Sequence, residues 1–156
     1  MGLNAEGFLI FRLREEEFAL PIGCVREVLL VPPDITPIPK APASVQGMVQ
    51  LRGRPLVVID LGERLGMPCA QRGPKTRIVL TRLPQTWAGL LVDSVEEIFE
   101  VDSTAVFSKP SGSLQLPHVA GMARIKDRMT ILLDLATLFA DDNALTAWAK
   151  TPVEGI

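Results

Sequence analysis

The feature that most limits what this chain can fold into is that it repeats itself. The stretch GMVQLRGRPLVVIDLGERLG (residues 47–66) returns 74 residues later as GMARIKDRMTILLDLATLFA (residues 121–140). Gly47 falls on Gly121, Met48 on Met122, Arg54 on Arg128, and Asp60-Leu61 on Asp134-Leu135. Upstream, FALPIGCVREV (18–28) matches AGLLVDSVEEI (88–98) at an offset of 70, which sets Leu20, Val25 and Glu27 on Leu90, Val95 and Glu97. FLIFRL (8–13) falls on IVLTRL (78–83) at the same offset. Chance likeness of two β units is the competing account. Register held over three blocks, with one shift of four residues, weighs against it. The sequence therefore describes one unit used twice, about residues 8–66 and 78–140.

Each copy has the grammar of a hairpin followed by a short helix. In the first, the apolar run 47–51 meets the turn Arg52-Gly53-Arg54 and the β-branched run 56–59. Asp60 then stands where a helix N-cap belongs. Residues 8–13 carry apolar side chains on both faces (Phe8, Ile10; Leu9, Phe11, Leu13), as in a strand covered on both sides. Residues 18–22, 76–81 and 87–92 read as further strands. Residues 23–28 fit a short helical turn with Val25 and Val28 on one side. Residues 94–100 fit either a turn or a strand extension.

Pro32, Pro33, Pro37, Pro39 and Pro42 make residues 32–42 an extended connector, since proline fixes φ and removes a donor. Residues 101–119 form the second connector. From Leu135, the spacing of Leu138, Phe139, Leu145 and Trp148 predicts a helix over about 135–149. Short strands with frequent Gly and Pro punctuation indicate a mainly β protein, and the duplication sharpens this to two small antiparallel barrels packed together.

Composition narrows the function. At 156 residues the chain can bury roughly 70% of its unfolded surface without a disulfide or metal staple. A net charge of −2 argues against non-specific nucleic-acid binding. Cys24 and Cys69 have no paired spacing and read as reduced thiols of a cytosolic protein. Charges at Glu6, Arg12, Arg14 and Glu15-Glu16-Glu17 break any signal-peptide core, and no apolar run reaches membrane-spanning length.

Catalytic residues are not apparent. His118 is the single histidine, which leaves no His-based cluster or metal site. Cys24 has only Arg26 as a nearby activating charge and reads as a buried thiol. Asp60 and Asp134 are each explained as N-caps. No cofactor or metal is predicted, and no enzyme activity. Arg52, Arg54, Arg124, Lys126 and Arg128 cluster at the hairpin turns. Glu27 is an acidic candidate to pair with Arg52 and pin the segment after the second strand to the hairpin.

QLRG (50–53), preceded by Gly47 and followed by VVIDL (57–61), resembles the CheW family. FLIFRLREEEFALPI is similar to that family's opening hairpin, CVREV to its V-x-E-V/I turn, and PIPKAPASVQGMVQLRG to its P-x-x-P-x-x-V-x-G-x-x-N-L-R-G block. GLLVDSVEEI and ILLDL are similar to its second half. The resemblance covers most of the chain. It implies one domain of two SH3-like five-stranded antiparallel β-barrels around a shared core. Strands are open to exchange between the barrels, and 141–156 forms a C-terminal helix and tail.

The resemblance also implies a non-catalytic adaptor of bacterial chemosensory arrays, cytoplasmic and associated with receptors at the inner membrane. Its partners would be the regulatory domain of a CheA-type histidine kinase, met mainly by the first barrel, and the cytoplasmic tip of methyl-accepting chemoreceptors, docked between the barrels. By position, Val25, Glu27, Val28, Gly47, Arg52 and Gly53 fall in the partner-binding region. The sequence departs from the pattern at Gln50, where Asn is usual, and at Arg54-Pro55, where two aliphatics are usual. Pro55 is expected to remove a ladder hydrogen bond near the turn. An adaptor of a sibling pathway, such as twitching motility, stays open. So do a small-ligand barrel or enzyme, marked by a polar pocket, and an SH3-type peptide module, marked by an exposed aromatic groove.

Overall fold

The computed structural model describes residues 6–68, 72–84, 86–108 and 118–140. They form eleven strands and two short helices in two sheets. The strands are β1 (Glu6–Leu13), β2 (Glu16–Pro21), β3 (Val25–Leu30), β4 (Val45–Leu51), β5 (Arg54–Asp60), β6 (Arg77–Arg82), β7 (Trp87–Val92), β8 (Ser94–Val101), β9 (Val106–Ser108), β10 (Val119–Ile125) and β11 (Arg128–Leu133). Helix α1 (Leu61–Arg64) follows β5, and α2 (Leu135–Leu138) follows β11. One sheet runs β8-β1-β2-β11-β10-β9 and the other β3-β6-β7-β5-β4. The three-residue β9, inside the second connector, makes the first sheet six-stranded.

The two copies cross over in space. The β1–β2 hairpin of the first copy lies in the sheet with β8 to β11, and the β6–β7 hairpin of the second copy lies with β3 to β5. Each otherwise antiparallel sheet is joined at that graft by one parallel pairing, Val58↔Gly89 in one and Leu132↔Ala19 in the other. These pairs are equivalent at the repeat offsets. So are Val25↔Thr81 and Val95↔Phe11, where the edge strands β3 and β8 join.

Alternation along the central strands explains why both faces are apolar. Phe8 and Ile10 point into one curled sheet, with Ala19, Ala123, Ile125 and Leu132. Leu56, Val58, Ile78, Leu80 and Leu91 fill the other. The intervening residues Leu9, Phe11, Leu13, Val57, Ile59, Val79 and Leu90 turn outward from both sheets and meet in one shared core. Side chains on a strand alternate between faces, so a strand between two cores must be apolar at every position.

The turns obey local chemistry. Arg52 and Gly53 both have positive φ (51° and 80°), as do Lys126 and Asp127 (52° and 62°). Two-residue hairpins with positive φ at both positions match the twist of their strands. Asp60 accepts a hydrogen bond from Glu63 N–H at 3.1 Å, and Asp134 one from Thr137 N–H at 3.2 Å, so both are N-caps.

Three expectations change. Residues 23–28 are not a helical turn: one turn of 3-10 helix covers Ile22–Cys24, and Val25–Leu30 is strand β3. Pairing with β6 outweighs the local i,i+3 pattern, and Val25 faces inward while Val28 faces out. Of the two readings of residues 94–100 the strand holds, as part of β8. Pro55 removes no ladder bond. Leu51↔Arg54 closes the two-residue turn as a hydrogen-bonded pair, so the next pair, Gln50↔Pro55, is a non-hydrogen-bonded one. On its other side β7 pairing starts only at Val58. The helix expected over 135–149 stops after one turn: α2 is Leu135–Leu138, Phe139 is its C-cap and Ala140 lies in a turn, while residues 141–156, including Leu145 and Trp148, lie outside the described residues, as does Cys69.

Candidate functional site

β3 and β4 lie at opposite edges of their sheet. Yet Glu27 on β3 and Arg52 in the β4–β5 turn meet in a salt bridge of 2.8 Å. The sheet has therefore curled far enough for side chains from its two margins to meet, and the pair fastens the rim. The second copy repeats the device: Glu97 on β8 pairs with Lys126 in the β10–β11 turn. Both acids and both bases are equivalent at the repeat offsets of 70 and 74. Lys126 also lies 5.5 Å from the centroid of the Phe99 ring.

Of the residues singled out by sequence, five gather on this rim. Val25 is half-buried against the shared core. Glu27 carries the salt bridge, and Val28 faces solvent with 40% of its surface exposed. Arg52 and Gly53 form the exposed turn. Gly47 has a different place. It is buried at a register shift in β4, with φ of 144°, where the proline-rich connector crosses. Thr36 bonds Met48 on both sides there, N–H to carbonyl at 2.9 Å and 2.8 Å, and any side chain on Gly47 would overlap the Thr36 carbonyl. Gly121 is equally constrained by the carbonyl of Phe107.

His118 acts through its backbone: its carbonyl accepts the Asp134 N–H at 2.9 Å, as the Ser44 carbonyl accepts that of Asp60 at 2.7 Å. Among the described residues, no group of three or more His, Cys, Asp or Glu is placed to hold a metal ion, and no helix is long and apolar enough to cross a membrane.

Sequence reasoning missed the Glu97–Lys126 pair, which the repeat offsets could have given directly from Glu27 and Arg52. It also named no wall of the groove between the barrels: an open, mainly apolar cleft of about 570 Å³ lies where the two sheets meet, with Leu20, Cys24, Leu83, Pro84, Leu135 and Ala136 on its walls. Cys24 donates to the Pro21 carbonyl at 3.1 Å, and burial pushes its thiol above the ordinary value of 9.0. That favours the neutral thiol and opposes nucleophilic chemistry.

Two curled sheets sharing a core, with salt-bridged rims and exposed apolar positions on their edge strands, suit a protein-interaction scaffold. The chain belongs to the CheW-like domain family, whose model matches residues 7–143. It is 32% identical over 136 residues to the chemotaxis protein CheW of Rhizobium meliloti (strain 1021), covering 86% of this chain and 87% of that one. The crystal structure of the scaffolding protein TtCheW from Thermoanaerobacter tengcongensis superposes with a TM-score of 0.79 at 32% identity, over 88% of this chain and 94% of that one. This is a family of non-catalytic chemotaxis adaptors.

Proposed function

We propose that this protein couples the cytoplasmic tips of methyl-accepting chemoreceptors to the regulatory domain of a CheA-type histidine kinase, in arrays on the cytoplasmic side of the inner membrane. The observation that carries the reading is the rim formed by Val25, Glu27, Val28, Arg52 and Gly53, in a member of an adaptor family. An adaptor needs apolar anchors held at fixed positions with charges around them, because few residues of an interface carry most of its energy. Val28 supplies an exposed apolar position, and the Glu27–Arg52 pair holds the turn beside it. The kinase domain meets this first-copy rim. Gly47 serves the same surface indirectly, by letting the connector cross β4. The receptor tip, a helical hairpin, takes the apolar cleft between the sheets.

The test is retention of the purified protein on immobilised kinase regulatory domain and, separately, on an immobilised receptor-tip fragment. The reading expects retention on both, with Arg52→Ala weakened on the kinase domain. No retention on either overturns it.

A further inference from the structure

The doubling of the chain implies that whatever stands at one side of the seam between the sheets has a counterpart at the other. At one side the counterpart of the cleft is filled. Arg14, in the β1–β2 turn, donates from its backbone N–H to Asp93 Oδ2 at 2.7 Å and from its guanidinium to Asp93 Oδ1 at 2.9 Å. Its Nε donates to the carbonyl of Pro68, just beyond α1. The guanidinium lies flat on Gly62, so closely that a Cβ there would sit 2.8 Å from one of its nitrogens. Arg14 thus ties the turn of one sheet to the helix end of the other.

At the repeat offsets, Arg14 falls on Pro84, Gly62 on Ala136 and Asp93 on Gly23. None of these three can rebuild the contact: the base, the acid and the space are all replaced. Pro84 and Ala136 instead stand on the walls of the open cleft, beside Cys24. The near-symmetry of the molecule is broken here, with a clasp on one side and an opening on the other.

We infer that Arg14 is a positioning residue for the cleft: its clasp to Asp93, Pro68 and Gly62 fixes the angle between the two sheets and so sets the width of the opening across the seam. Two packed bodies joined by a core and fastened at one margin move chiefly at the other. Charge-assisted bonds at a partly buried margin are the stronger kind, so the clasp restrains that motion in both senses. The link to receptor docking rests on the function proposed above; the link to cleft width does not.

Cys24 provides a direct readout. With Cys69 replaced by Ser, it is the single thiol of the chain, and because it stands half-buried on the cleft wall its rate of modification by a maleimide follows the width of the opening. Arg14→Ala is expected to raise that rate about tenfold, consistent with loss of a charge-assisted contact. Asp93→Asn and Arg14→Lys should give smaller increases, and each serves if Arg14→Ala does not fold. Titration of a receptor-tip fragment against the same variants should show weaker binding in the same order. Unchanged Cys24 rates in folded variants overturn the inference. Failure of the parent protein to bind the fragment would count against the docking reading alone, because the thiol rates are read without it.

Discussion

Glu27 and Arg52, 25 residues apart in sequence and on opposite edges of one sheet, stand 2.8 Å from each other. The contact joins what the chain separates, and Glu97 with Lys126 does the same for the other sheet. Arg52 keeps half of its side chain in solvent, 51% by area. An ion pair so exposed contributes about 0–1 kcal/mol to stability. Arg52→Ala should therefore fold with a denaturant midpoint close to that of the parent, while kinase activation in a reconstituted receptor system falls. A large shift in midpoint would make the residue structural instead. Unchanged activation would remove it from the interface.

Gly47 should behave in the opposite way. Its φ of 144° is one that side chains rarely adopt, and a Cβ would overlap the Thr36 carbonyl. Gly47→Ala is expected to cost roughly 2 kcal/mol or more in a urea melt, from backbone strain and displacement of the connector. Gly23→Ala is the control: a Cβ there meets nothing within 4 Å, and little change is expected.

The shared core gives a third expectation. Phe11 is fully buried, 6.1 Å from the ring of Phe18, among residues drawn from both sheets. Phe11→Ala should destabilise by about 3–5 kcal/mol, in a single transition for the whole domain. Two separate transitions would mean that the sheets fold independently.

The Cys24 thiol gives a pH dependence with a definite sign. Burial raises its pKa above the ordinary 9.0, so the folded state holds its proton longer than the unfolded chain does. Its stabilising contribution is complete below the unfolded value and is lost as pH rises through the folded one. The stability difference between the parent and Cys24→Ala, from urea midpoints, should shrink or reverse as pH rises from about 8 to about 11. Comparing the two chains cancels the other groups that titrate there.

Much of this was legible in the sequence because the signals are local. The caps at Asp60 and Asp134, the turns at Arg52-Gly53 and Lys126-Asp127, and the double apolar faces of β1 follow from residues close together. The Glu27–Arg52 pair could be named because each side chain has few other roles. What was not legible depends on pairing at a distance. Val25–Leu30 became a strand because β6 lies beside it, and β9 exists because β10 offers an edge. Pro55 was misjudged because hydrogen-bonded and open pairs alternate along a hairpin, a matter of register that composition does not carry. The Arg14 clasp joins a turn to residues 54 and 79 positions away, and only the fold brings them together.

A bridging assay tests the central claim most directly. A receptor-tip fragment is fixed to beads, the kinase regulatory domain is supplied in solution, and its retention is measured with and without this protein. Coupling predicts that the kinase domain is held only when the protein is present, and less of it with Arg52→Ala. Equal retention in its absence, or none in its presence, would contradict the account.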